Sequence, residues 1–340
     1  MGNHTSYEEF ILLGFLIGRK AEKFLAIILM VMYTSTIFGN STILFIIITN
    51  SCLPTPMYFF LSNLSILDLF FSTVTAPSLL KNLISGVRTI SFASCMAQSY
   101  FYFFLGKAEY FLLTCMSYDR YVAICNPLHY LVIMNDCFCI QMVVACWLVG
   151  FAFVLYPTTM VTRFSYFHSN VIDHFFCDTE PLLKLSCTDT SSIQIILFLL
   201  SSIAILCFLN LTLVSYIYIV SIILVIPTDC GRKKAFNTCA SHFTLFLMAS
   251  SVSMLLYIVL YIVPFKPSTS WVRKIPAFLS SIINPFLRHF VYTLRNDLVK
   301  TILQKLFDRT QTMVQKAGKF FIIVVRCTIC ALENFLPILT

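Results

Sequence analysis

Apolar and polar positions along this chain fall into long blocks. Seven stretches are almost continuously hydrophobic, over residues 24–49, 57–80, 95–118, 138–160, 193–226, 236–263 and 275–294. A helix needs about 20 mostly apolar residues to cross the hydrocarbon core of a bilayer. Strands of a membrane barrel would be only ~9–11 residues long and would alternate in polarity. These runs are longer and do not alternate. Lipid offers the backbone no hydrogen-bonding partner, so each run is predicted to be a helix. The expected fold is an all-α membrane protein, a seven-transmembrane helix bundle. The seventh run is the weakest, because Pro276, Pro285, Arg288 and His289 interrupt it. Apolar residues return at 320–325 and continue to Thr340, broken by Arg326 and Glu333. That tail reads as a membrane-surface segment or an ill-defined end, with an eighth span as the alternative.

Composition supports the bilayer as solvent. Of 340 residues, 59% are hydrophobic and 11% charged, and the mean hydropathy is +0.86. Soluble domains carry about 25% charged residues, so a cytosolic enzyme, a nucleic-acid binder and a disordered regulator are all disfavoured. The net charge of +8 contains no dense basic block, and the basic residues lie beside apolar runs, where headgroups are their neighbours. Of the 14 cysteines, only Cys95, Cys177 and Cys187 sit near loop edges. The early Glu8 and Glu9, with no cleavage site after a short apolar run, leave the first span as the insertion signal. Lys and Arg are nearly balanced between the two sets of loops, so charge counting leaves the orientation open; the densest short-loop cluster, Arg232, Lys233 and Lys234, would by the positive-inside rule put its loop in the cytoplasm. The N-terminus would then be extracellular, which is consistent with glycosylation at Asn3 of the Asn3-His4-Thr5 sequon. The sequons at Asn40, Asn63 and Asn210 fall inside spans. No repeat or linker divides the chain, and the longest external loop covers about 162–192.

Polar groups inside the runs are costly there and mark candidate function. Asn40 lies in the first span, Asp68 in the middle of the second, and Lys107 and Glu109 in the third, with Asp119 and Arg120 at its far end. Asn40, Asp68 and Glu109 together would hold a cation or a water cluster, or would simply hydrogen-bond helices to one another. Asp119-Arg120-Tyr121 is either a snorkelling pair or a two-state switch. No catalytic motif and no spaced Cys/His metal site occurs. The chain is expected to be no enzyme and to need no cofactor.

Several strings are more specific. Residues 56–65 read PMYFFLSNLS and lead into Asp68. Residues 116–130 read MSYDRYVAICNPLHY, 234–242 read KAFNTCASH and 292–296 read YTLRN, while Ser215-Tyr216 lies late in the fifth span. Over about residues 8–309 the chain closely resembles vertebrate odorant (olfactory) receptors, members of the rhodopsin-like G-protein-coupled receptors. The resemblance implies an extracellular N-terminus (1–23), a receptor bundle (24–294), a short cytoplasmic amphipathic helix (295–309) and an atypical tail (310–340). It implies a plasma-membrane protein whose partners are a small odorant, a heterotrimeric G protein of the stimulatory olfactory type that raises cyclic AMP, and the bilayer.

The same resemblance implies residue roles. Asp119, Arg120 and Tyr121 would be the activation switch, with Tyr216, Lys234, His242 and Tyr292 around the G-protein cavity. Asn40, Asp68 and Glu109 would belong to the polar network, and Cys95–Cys177 would be the disulfide. Phe103, Gly106, Lys107, Ala108, Leu206, Ser250, Met254 and Tyr257 would be the ligand-pocket candidates. Departures from the family pattern stand out too. Pro54 replaces a His, Phe167 stands where a cysteine partner of Cys187 is usual, and Ala249-Ser250-Ser251 replaces an FYG-type string. Read without gaps, Arg288 and His289 replace the Asn-Pro of PxLNPxxY; a gapped reading instead keeps Asn284-Pro285 and inserts about one helical turn. On the ungapped reading the helix below Pro285 is expected to be straighter, and Arg288 is expected either to snorkel or to find an acid, Asp68 being the nearest by depth. Lys107 lies 13 positions before Arg120, about 20 Å along the helix. That depth suits a pocket floor and a ligand with a carboxylate or carbonyl oxygen.

Overall fold

The computed structural model describes residues 8–49, 55–166, 169–261, 270–295 and 304. The chain forms two units, Met1–Val291 and Tyr292–Thr340. Nearly all of the second unit lies outside the described residues. So do Asn3, Phe167, most of the expected 295–309 helix, the tail after 310, and the side chains of Lys234 and Tyr292.

Among the described residues, seven helical passes account for the seven apolar runs. They are α1 (Arg19–Thr49), α2 (Pro56–Ser85), α3 (Phe92–Cys125), α5 (Asp136–Thr162), α7 (Ser191–Val225), α8 (Asp229–Tyr261), and a composite of α9 (Ser270–Phe278) with α10 (Asn284–Arg295). Two short helices, α4 (Tyr130–Ile133) and α6 (Thr179–Leu185), lie in the connections. Among the described residues, five apolar helical stretches are long enough to cross a membrane, within α1, α2, α5, α7 and α8. At 1.5 Å per residue, the 35 residues of α7 extend about 52 Å, well past a ~30 Å hydrocarbon core. Phe38, Ile48 and Val225 are more than three-quarters exposed, as expected where lipid is the neighbour. Helix α3 carries the charges of the third run and packs against α2, α5, α7 and α8. Its central place is what allows those charges to be buried among protein groups.

Helix starts follow local chemistry. Pro56 opens α2, where its missing N–H costs nothing. The side-chain oxygen of Asn135 accepts from Phe138 N–H at 2.9 Å and caps α5. Helix α1 begins at Arg19, earlier than the apolar run, because Glu22 is anchored there by Arg88 at 2.9 Å and Arg19 at 3.4 Å.

At the disulfide end, three short strands form one sheet: β1 (Glu9–Leu12), β2 (Thr89–Ser91) and β3 (Val171–Ile172), in the order β2-β1-β3. Strand β1 pairs antiparallel with β2, matching Phe10 to Ile90, and parallel with β3, matching Leu12 to Ile172. Alternation turns Phe10 and Leu12 inward. They join Cys95, Cys177, Tyr166 and Leu182 in a buried apolar cluster. The Cys95–Cys177 disulfide ties α3 to the loop after β3. Gln98 reinforces the tie, accepting from Cys177 N–H at 3.0 Å and donating to Val74 O at 2.9 Å. Buried Lys274 on α9 donates to Asp173 at 2.7 Å and to Gly14 O at 2.9 Å.

The last pass is not a uniform helix. Leu279–Ile283 forms a π-helical turn between α9 and α10. Pro285 has no N–H for the carbonyl of Ser281 and crowds it, and a widened turn just before it relieves that conflict. Below Pro285 the helix continues through Arg288 and His289. The His289 ring fills the space that a side chain on Gly39 would occupy, so a Cβ there would overlap the ring. Gly39→Ala should therefore separate α1 from α10 and cost about 1–3 kcal/mol, the usual penalty for overpacking. Surface labelling should fall in that variant and should recover when His289→Ala is added.

Candidate ligand pocket and switch

A cavity of about 540 Å³ opens among α3, α5, α6, α7 and α9. Phe103, Phe153, Val154, Pro157 and Ile195 supply apolar walls. Toward the disulfide end, Asp178, Glu180, Lys184 and Arg273 line it. Glu180 is shared between Lys184, at 2.5 Å, and Arg273. Lys107 and Phe103 line both this cavity and a second of about 70 Å³ bounded by Tyr102, Glu109, Tyr110, Tyr257 and Asn284. Around the small chamber, Tyr102 bonds Ser280 at 2.8 Å, Ser253 donates to Tyr110 at 2.7 Å, and Tyr257 bonds Ser202 at 3.1 Å. No group of three or more His, Cys, Asp or Glu placed to hold a metal occurs among the described residues.

Of the pocket candidates, the structure brings Phe103, Gly106, Lys107 and Tyr257 to these cavities. Leu206 and Met254 instead turn outward, 57% and 45% exposed. Ala108 is fully buried where α3 meets α5; a Cβ on Gly150 would lie 3.0 Å from its backbone nitrogen. Ser250 lines neither cavity. The sequence offered no signal for the contributions of Phe153 and Pro157 from α5 or Asp178, Glu180 and Arg273 from the loop and α9. Only the folding of the loop over the helices assembles them.

Below the small chamber, Arg288 holds two acids at once. Its guanidinium nitrogens lie 2.8 Å from Asp68 and 2.6 Å from Glu109, and all three side chains are nearly inaccessible. The Arg288–Asp68 pair expected from depth is therefore present, and Glu109 completes a bridge from α10 to α2 and α3. Asn40 is also buried, but its amide donates to Thr36 O of its own helix at 3.0 Å.

At the opposite end of the bundle, Arg120 Nε donates to Asp119 at 2.9 Å, and both residues are buried. Tyr130 on α4 donates to the other Asp119 oxygen at 2.7 Å. Tyr130 belongs to the 116–130 string but had no role assigned from sequence; its hydroxyl fixes the acid that restrains Arg120. Tyr216 and His242 are buried in hydrogen-bond contact with each other. Tyr121 packs edge-on to Tyr218 with ring centroids 5.9 Å apart. Lys233 is exposed.

A profile described as the olfactory receptor family matches residues 29–310. Human olfactory receptor 6J1 is 47% identical over 317 residues, covering 93% of this chain and 90% of the relative. Human olfactory receptor 6F1 is 40% identical over 304 residues, covering 89% and 97% respectively. Mouse olfactory receptor 1E16 is 41% identical over 308 residues, covering 90% and 96%. The chain belongs to the olfactory receptor family. The crystal structure of squid rhodopsin shares the fold at a TM-score of 0.63 and 15% identity, covering 87% of this chain and 88% of that one. This olfactory receptor is thus a multi-pass membrane protein that responds to odorants through a G protein, and it is not an enzyme.

In the loop over this receptor's pocket, two buried groups titrate abnormally. Burial and then Lys274 push His174 down to about 3, so it stays neutral. Burial and then Glu180 push Asp178 up to about 7. A carboxyl with a raised folded pKa binds more protons folded than unfolded, so stability falls as pH rises from about 4 to about 7. Asp178→Asn removes that penalty. Its melting temperature relative to the parent receptor should climb across this window and level off above it. A flat difference would mean that Asp178 titrates in the folded receptor as it does in the unfolded chain.

Proposed function

We propose that this receptor detects small hydrophobic odorants in the 540 Å³ cavity and signals through the stimulatory olfactory G protein to raise cyclic AMP. The observation that carries the reading is a largely apolar cavity, with charged groups at its floor and its disulfide end, placed along the same helix, α3, as the Asp119–Arg120 pair. Ligand contact with α3 would shift the balance between Arg120 held by Asp119, which Tyr130 fixes in place, and Arg120 released to the G protein. A ligand can move that balance only by binding the released state more tightly. The N-terminus lies outside the cell in this reading, with Asn3 glycosylated, at the plasma membrane.

An odorant panel read by cyclic AMP in cells expressing the receptor tests this directly. Arg120→Ala should abolish the response at unchanged surface density. A response that survives the substitution would place coupling elsewhere. An N-terminal epitope should be labelled on intact cells; labelling only after permeabilisation would reverse the orientation. Ion current or solute flux from this chain alone would favour a channel or transporter instead.

A further inference from the structure

Lys107 stands out among the pocket residues. Its ammonium lies 5.7 Å from the centroid of the Tyr110 ring, and among the described residues it has no carboxylate partner. The nearby acid on the same helix, Glu109, is engaged by Arg288 at 2.6 Å. Two positions apart, Lys107 and Glu109 also lie on different faces of α3. Lys107 is half-buried and faces the cavity, so whatever fills that space becomes its partner, and one aromatic face meets only part of a cation's need.

The rest of the wall does not supply the missing charge. The cavity is lined by the cations Lys107, Lys184 and Arg273 and by the acids Asp178 and Glu180. Glu180 already serves both Lys184 and Arg273. Burial raises Asp178 to about 7, which weakens its contribution further. The lining therefore carries excess positive charge, and its unpartnered cation sits deepest. Lys107 is 12 positions beyond Cys95 on α3, about 18 Å below the disulfide. Phe103, Phe153, Val154 and Pro157 line the same cavity.

We infer that the odorant of this receptor is an aliphatic or aryl-aliphatic monocarboxylate, bound head-down with its carboxylate on Lys107 and its hydrocarbon body along the apolar wall. This rests on the cavity being the odorant site, as proposed above. The carboxylate supplies the counter-charge that Glu109 cannot, and the apolar body contributes by burial. Each added methylene should raise potency about fourfold until the cavity is filled.

The test uses chain-matched probes: octanoic acid, octanal, octan-1-ol and octane, with butanoic and hexanoic acids for length. Each is measured by cyclic AMP in cells and by thermal shift of the purified full-length receptor. Octanoic acid should exceed octan-1-ol by about tenfold to a hundredfold, the worth of a charge-assisted contact. Lys107→Met should erase that preference, and Lys107→Arg should retain most of it, both at matched surface density. Octan-1-ol or octane equal to the acid in the parent receptor would overturn the inference. So would an acid preference that persists in Lys107→Met, or the failure of every acid to shift the melting temperature. Thermal stabilisation by acids without cyclic AMP would leave the ligand class standing and defeat the coupling reading. Cyclic AMP driven only by probes without a carboxylate would do the reverse.

Discussion

Arg288→Met should sharply lower the amount of receptor at the cell surface, and Arg288→Asn combined with His289→Pro should raise the cyclic AMP response of each receptor that arrives. Both results are expected from one arrangement. Arg288 reaches Asp68 on α2 and Glu109 on α3 from α10. Removing one partner of a buried ion pair strands the others and typically costs about 3–5 kcal/mol. Adding Asp68→Asn and Glu109→Gln to Arg288→Met should restore surface labelling, because no uncompensated charge then remains. The signalling effect has a different origin. The bridge fastens the last pass to the helix that carries Arg120, and His289 locks into the notch at Gly39. His289→Pro would remove a backbone donor and loosen α10, while Arg288→Asn would release α2 and α3. If the double variant signals no better than its parent at matched surface density, the bridge is structural and does not restrain activation.

Cys95→Ser and Cys177→Ser should each reduce surface delivery to near background, whereas Cys187→Ser should be mild. The Cys95–Cys177 bond spans 82 residues. For a loop of that length the chain-entropy relation gives about 4–5 kcal/mol, a ceiling here because α3 stays helical in the bilayer before the loop docks. The bond also sits in the apolar cluster that includes Phe10 and Tyr166, so a lone thiol would leave both the strand sheet and Gln98 poorly placed. Cys187 is exposed and free, and the position of its customary partner is Phe167. Surface labelling of the three variants side by side decides the matter; equal loss in all three would refute the pairing.

The sequence alone determined the spanning helices, because a bilayer permits no other closed backbone for long apolar runs. It also determined the family, because the strings around Asp119, Lys234 and Tyr292 are specific. The Arg288–Asp68 pair was legible too, since helical rise converts sequence position into depth, and a buried cation seeks an acid at the same level. Which face of a helix meets which neighbour was not legible. Runs that are apolar all round carry no directional stripe, so Leu206 and Met254 could not be told from pocket residues, and Ala108 was set by the close approach of Gly150. The sheet at the disulfide end was hidden for another reason. Its strands are two to four residues long and come from positions near 10, 90 and 171, too short for alternation to register. Tyr130, Glu180 and Arg273 likewise acquire their roles only when connections fold back over the bundle. Tertiary structure decided these features because they depend on which distant groups the packing brings within hydrogen-bonding reach, and helical periodicity within one span does not encode that.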